Sequence, residues 1–290
     1  MNTAVDKNNL ARTYQAMQRW DIGEDIRCTW RCLVDQNYRP VMTGEWVSPE
    51  TLKNALKDLN APDYADWCVE QNLHFQQVAT DEQALYAALT QHRDQIVKHG
   101  GMCAEFGVFQ GHSLRRCAEL VPECHWYGFD SFEGFENDWQ INNNQYALSK
   151  EAFSLGGVVP NLDRDNVSLV KGYFSQSLPE FSSGLEPDQY FSFVHIDCDT
   201  FAAAECVFNY LGDRFVNGTI IVLDDIVGLI GITDAMKAFY NFVQAKNITF
   251  EWLVCGKGPN VFSVLDRGCV MTHWLFANKV GMFSAACILN

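Results

Sequence analysis

The chain has 290 residues, 48% of them hydrophobic and 13% aromatic, so it can bury a substantial core and is not a disordered polymer. Its 36 acidic residues outweigh 21 lysines and arginines, for a formal net charge of −15. That balance argues against nucleic acid or an anionic membrane as partner, because binding phosphates takes clustered cations. The expected partner is a small molecule, and part of the acidic excess can serve to hold a cation.

In chain order, the first element-rich stretch is helical. "MNTAVDKNNLARTYQ" has no apolar signal core. In "SPETLKNALKDLN", Ser48 reads as an N-cap and Pro49 as the first helical residue. "DEQALYAALTQHRDQIVKHGG" predicts one helix capped by Asp81, with Leu85, Ala88, Leu89 and Ile96 on one face and Gly100-Gly101 as its stop. We therefore expect residues 1–99 to form a helical extension, acting as a lid or a homo-oligomer contact, ahead of a second domain at 100–290.

From there strands alternate with helices. The strands are "MCAEFGV", "HWYGFD", "VSLVKGYF", "YFSFVHID" and "TIIVLDD", and the helices include "SLRRCAELV", 202–210 and "ITDAMKAFYNFVQA". "ITFEWLVCG" and "NVFSVLD" then follow with only "GKGPN" between them, a turn too short for anything but antiparallel strands. The predicted fold is α/β, a doubly wound, mostly parallel sheet whose last strand is antiparallel.

Eleven cysteines include no C-x-x-C pair, which points to buried free thiols in a reducing cytoplasm rather than a disulfide framework or zinc site. The apolar tail "VMTHWLFANKVGMFSAACILN" is interrupted by His273, Asn278 and Lys279, so no membrane span is expected. Its final "CILN" is a poor prenylation signal.

Ligands of open α/β sheets bind beyond the carboxyl ends of the strands. In "AEFGVFQGHS", Glu105 closes a strand, and Gly107 and Gly111 bound a turn that leads into a helix N-terminus suited to an anionic group. The pattern is E-x-G-x-x-x-G, not the G-x-G-x-x-G of dinucleotide enzymes. Asp130, ending the second strand, suits the two hydroxyls of a ribose, though strand-end aspartates are also ordinary turn formers. The loop from Gly172 to Ser177 can wall an adenine ring. Asp197 and Asp199 follow the fourth strand, and Asp224 and Asp225 the fifth. Adjacent strands would crowd these carboxylates, and a divalent cation relieves such crowding. The plainer reading makes Asp225 a helix cap and Asp199 a turn former. His195 reads as a buried, hydrogen-bonded histidine and His112 as a solvated loop residue.

"AEFGVFQGHSL", "YGFDSFEGF", "VKGYFSQSLP", "FVHIDCDTF" and "GTIIVLDDI" resemble, in order and spacing, the motifs of the macrocin O-methyltransferase (TylF-type) family, over roughly residues 100–265. The resemblance implies a class I S-adenosylmethionine-dependent methyltransferase with a seven-stranded sheet. It implies that Glu105, Gly107 and Gly111 cradle the methionine part of the cofactor, Ser113 its carboxylate, and Asp130 and Ser131 the ribose. Gly172, Phe174 and Ser177 would lie near adenine. Asp197, Asp224 and Asp225 would bind Mg²⁺ or another divalent cation, with Asp197 serving catalysis through it and Asp199 beside it as general base. Phe135-Glu136 after "FEG" and Ile226 after "DD" depart from the family, and both flank the acceptor. The function read from the sequence is metal-dependent O-methylation of a sugar or other vicinal diol. A catechol-type O-methyltransferase is the first alternative. An NAD-dependent oxidoreductase and a non-catalytic relative come after it.

Overall fold

The computed structural model describes residues 49–80, 82–141, 146–227, 232–257 and 283–290. All of them fall in one compact unit. Four helices come first: α1 (Pro49–Leu56), α2 (Pro62–Gln77), α3 (Ala84–Gln91) and α4 (Arg93–His99), with a two-residue strand β1 (Ala79–Thr80) after α2. Pro49 does open α1; Ser48 and Asp81 lie outside the described residues. The single helix predicted at 81–99 is two. His92 ends α3 and starts α4, and Gly100 closes α4 in the left-handed conformation with φ 81°.

The alternating part gives β2 (Met102–Phe106), α5 (His112–Leu120), β3 (Trp126–Asp130), a small hairpin of β4 (Trp139–Ile141) and β5 (Tyr146–Leu148), then β6 (Val167–Lys171) and α6 (Phe174–Ser183). β7 (Phe191–Ile196), α7 (Phe201–Leu211), β8 (Phe215–Val227), α8 (Ala235–Lys246), β9 (Phe250–Lys257) and β10 (Phe283–Leu289) complete it. The main sheet runs β6-β3-β2-β7-β8-β10-β9-β1. Every pairing in it is parallel except those of β10, which runs against both β8 and β9. Without the short edge strand β1, this is the predicted seven-stranded arrangement.

The antiparallel strand is not the expected one. Residues 260–266, predicted to turn straight back, lie outside the described residues. The slot between β8 and β9 is filled by the C-terminal tail. Ser284, Ala285, Ala286, Cys287 and Leu289 are all buried there. A strand covered on both faces reads as a continuous apolar run, which is why the tail looked more like a membrane candidate than a strand. Among the described residues no helix is long and apolar enough to cross a membrane.

Side chains alternate across the sheet and build one core on each face. Leu178 of α6, Val207 and Phe208 of α7 and Phe239 of α8 pack on one face with Phe106, Val194, Ile196 and Leu223. Ala87 and Ala88 of α3, Ile96 of α4 and Leu114 and Cys117 of α5 pack on the other with Cys103, Phe193 and Val222. The helices α1 and α2 add a smaller cluster, in which Leu52, Leu56, Tyr64 and Cys68 enclose Ile232. Lys237 of α8 lies 4.2 Å over the Tyr64 ring and 4.6 Å over Tyr240.

Candidate active site

The turn after β2 is held by close backbone approach. Gly107 has φ +94°, and a Cβ there would overlap the carbonyl oxygen of Asp197. Only glycine lets β2 end against β7 in this way. Gly111, with φ +75°, is the N-cap of α5 and packs against Leu162.

Asp130 pins that turn from the neighbouring strand. Its Oδ2 accepts the N–H groups of Val108 and Phe109, each at 2.8 Å, and its Oδ1 accepts that of Phe132 at 2.6 Å. A carboxylate oxygen accepts about two hydrogen bonds, so Oδ1 retains capacity for an incoming hydroxyl. Ser131 is 7% exposed and engaged within its own turn, donating to the Gly134 carbonyl at 2.7 Å and accepting from Glu133 N–H at 3.0 Å.

Glu105 is fully buried beneath the glycine turn rather than at its surface. One oxygen accepts from the Ser113 hydroxyl at 3.0 Å and the other lies 2.9 Å from His195 Nδ1. Glu105 and Ser113 therefore face each other, tying β2 to α5 and β7. The imidazole is buried and hydrogen-bonded; its Nε2 has no partner among the described residues. His112 is exposed beside Gln110.

Gly172 and Ser177 line a cleft of about 440 Å³ beyond β6, together with Val170, Lys171, Gln176, Glu180 and Phe181. Ser177 donates to the Tyr173 carbonyl at 3.1 Å in the first turn of α6. Phe174 stands edge-on to Phe106, with centroids 5.9 Å apart, so it meets the core below the cleft.

The acids gather where β7 and β8 end side by side. Asp199 has φ +61°, and the N–H of Thr200 bonds back to the Cys198 carbonyl at 2.6 Å. That is a γ-turn of the rarer, positive-φ form, centred on Asp199. Such a conformation costs on the order of 1–3 kcal/mol and persists only where its surroundings enforce it. Burial first, then the carboxylates of Asp224, Asp234 and Asp130, push Asp199 up to about 7. Asp197 and Asp199 also help to raise the buried Cys198 thiol between them. Asp224 is 8% exposed and hydrogen-bonds the Ser284 hydroxyl of β10. The side chain of Asp225 lies outside the described ones.

Asp234 is the acid that reading the sequence missed. It stands just before α8, so its signal was that of an ordinary helix cap. In the fold it joins the cluster at 7% exposure, raised by burial and partly restrained by its hydrogen bonds. Among the described residues no three acidic, histidine or cysteine side chains stand close enough to hold a metal together. The donor type does fit a divalent cation: hard carboxylate oxygens, with Asp199 raised by burial and by the charges of Asp224, Asp234 and Asp130.

An aromatic wall adjoins this cluster. Phe109 of the glycine turn meets Phe153 at 5.7 Å, Phe153 meets Phe135 at 5.7 Å, and Phe135 meets Trp139 at 5.9 Å. Ile226, which replaces the aromatic of the resembled family, is buried in the core.

Residues 104–226 match the family described as Methyltransferase domain. That match, together with the strand order, supports an S-adenosylmethionine-dependent methyltransferase domain in this part of the chain. No curated protein matches the chain in sequence. Solved structures similar to it include CalS11, a calicheamicin methyltransferase, at 16% identity over 74% of this chain and 93% of that one, with a TM-score of 0.47. The O-methyltransferase NovP is similar at 16% identity over 57% and 73%, with a TM-score of 0.43. An O-methyltransferase from Bacillus cereus in complex with SAH is similar at 14% identity over 88% and 97%, with a TM-score of 0.42. Likeness at this level adds nothing to what the topology says.

Proposed function

We propose that the protein transfers a methyl group to a hydroxyl of a sugar or other vicinal diol, with a divalent cation held by Asp197, Asp224 and Asp225. The observation that carries this reading is the side-by-side ending of β7 and β8 in acids, with Asp199 buried within electrostatic reach of Asp224, Asp234 and Asp130. Carboxylates crowded in this way are costly unless protonated or neutralised by a cation.

S-adenosylmethionine supplies an electrophilic methyl on a sulfonium. What remains for the protein is to place a hydroxyl in line with it and to remove the proton. A bound divalent cation lowers the pKa of a coordinated hydroxyl. Asp199, beside the proposed cation, takes the proton. Asp130 receives a ribose hydroxyl at Oδ1, while its other bonds keep the glycine turn closed. The aromatic wall from Phe109 to Trp139 keeps water from the acceptor side. That same wall favours a second reading, a catechol-type acceptor.

The test supplies labelled S-adenosylmethionine, Mg²⁺, and a panel containing a catechol and simple glycosides. We expect label in a glycoside or another aliphatic diol, lost on chelation with EDTA and restored by excess Mg²⁺. Label only in the catechol selects the second reading. Transfer that is indifferent to EDTA removes the cation from the account.

A further inference from the structure

Asp234 is a buried carboxylate that neither the cofactor nor the proposed cation explains. Its place just before α8 suggests that it caps that helix, yet its side chain makes no bond to it. Instead Oδ1 accepts the N–H of Phe201, the first residue of α7, at 3.0 Å and across 33 positions of sequence. Oδ2 accepts from the Thr233 hydroxyl at 3.2 Å. Phe201 is the residue that follows the γ-turn of Cys198, Asp199 and Thr200. The α7 helix has a cap of its own, Thr200 Oγ1 accepting from Ala203 N–H at 3.3 Å, so Asp234 is not a substitute for a missing one.

A third contact comes from the aromatic wall. The indole N–H of Trp139 is buried beside the Asp234 carboxylate and helps to lower that group's proton affinity. From its place before α8, one side chain thus reaches both the end of the Asp199 turn and the hairpin strand β4. A turn at positive φ needs such an anchor, because its relaxed alternatives are lower in energy.

We infer that Asp234 is a positioning residue, which fixes the strained Asp199 turn through Phe201 and seats Trp139 of the hairpin against it. This rests on the reading of Asp199 as the base. The role requires an acceptor oxygen at position 234, not a charge. Asp234→Asn keeps that oxygen and Asp234→Ala removes it.

Hydrogen exchange of the full-length protein, followed by mass spectrometry, separates the possibilities. In Asp234→Ala the amides of 199–204 should exchange about tenfold faster than in wild type, with β7 unaffected, while Asp234→Asn stays within about threefold. With the best acceptor of the panel, kcat of Asp234→Ala should fall about thirtyfold, well beyond that of Asp234→Asn, with KM for S-adenosylmethionine unchanged. Unaltered exchange at 199–204 in Asp234→Ala overturns the inference. So does equal loosening of the whole domain, or an Asp234→Asn variant as impaired as Asp234→Ala. A wild-type protein inert toward every hydroxyl overturns the proposed function instead, and the exchange result then stands by itself.

Discussion

Asp199 occupies a backbone conformation that most residues avoid, and its carboxyl holds a proton to about pH 7. Its folded-state affinity for the proton is above that of an unfolded aspartate, so its contribution to stability is present at low pH. That contribution is lost as pH rises through about 7. In cation-free protein, Asp199→Asn should therefore raise the melting temperature at pH 8 and change it little at pH 4, as read by calorimetry. An unchanged melting temperature at pH 8 would mean that the carboxylate is not crowded. Gly107 is the other informative residue. Gly107→Ala forces a Cβ against the Asp197 carbonyl at a φ of +94°, and should destabilise the fold by more than about 1 kcal/mol. Its affinity for S-adenosylhomocysteine, measured by titration calorimetry, should fall at least about tenfold. At this scale the sequence was partly legible. Gly107 and the pairing of Asp197 with Asp199 stood out because type and spacing are written in the chain. Asp234 did not, because a cap for its own helix and an anchor for another look alike until α7 and α8 are packed. Glu105 and Ser113 likewise carried no sign that they would bond each other.

The strand β10 shows the same division among elements. Alternation of strand and helix made the parallel sheet plain, and an antiparallel member was expected. Which residues supply it was hidden, because local turn chemistry at "GKGPN" favoured the nearer stretch over a tail lying beyond residue 282. Packing decides this, and Ala285 and Ala286 are small enough for the centre of the sheet, where both are fully buried. Ala286→Asp would place a charge between Val222 of β8 and Val254 of β9 without a partner. Several kcal/mol are at stake, enough to lower the melting temperature by about 10 °C. A variant that melts like wild type would show that the tail does not fill this slot. The break at His92 was invisible for a related reason: the apolar face continues through it, and only the bend onto the sheet separates α3 from α4.

For the molecule as a whole, net charge supports only an expectation about partners, while strand order and the match at 104–226 support the methyltransferase reading. A cofactor that binds only the folded state stabilises it by mass action. S-adenosylhomocysteine at about a hundred times its Kd should add about 2.7 kcal/mol, and NAD at the same concentration should add nothing measurable. The central claim is that acids from two strand ends share one cation. It is tested most directly by titrating Mn²⁺, followed by electron paramagnetic resonance, into the protein saturated with S-adenosylhomocysteine. The account predicts one site in wild type, and its loss in each of Asp197→Ala, Asp224→Ala and Asp225→Ala. Wild-type Mn²⁺ affinity in any of the three would contradict it.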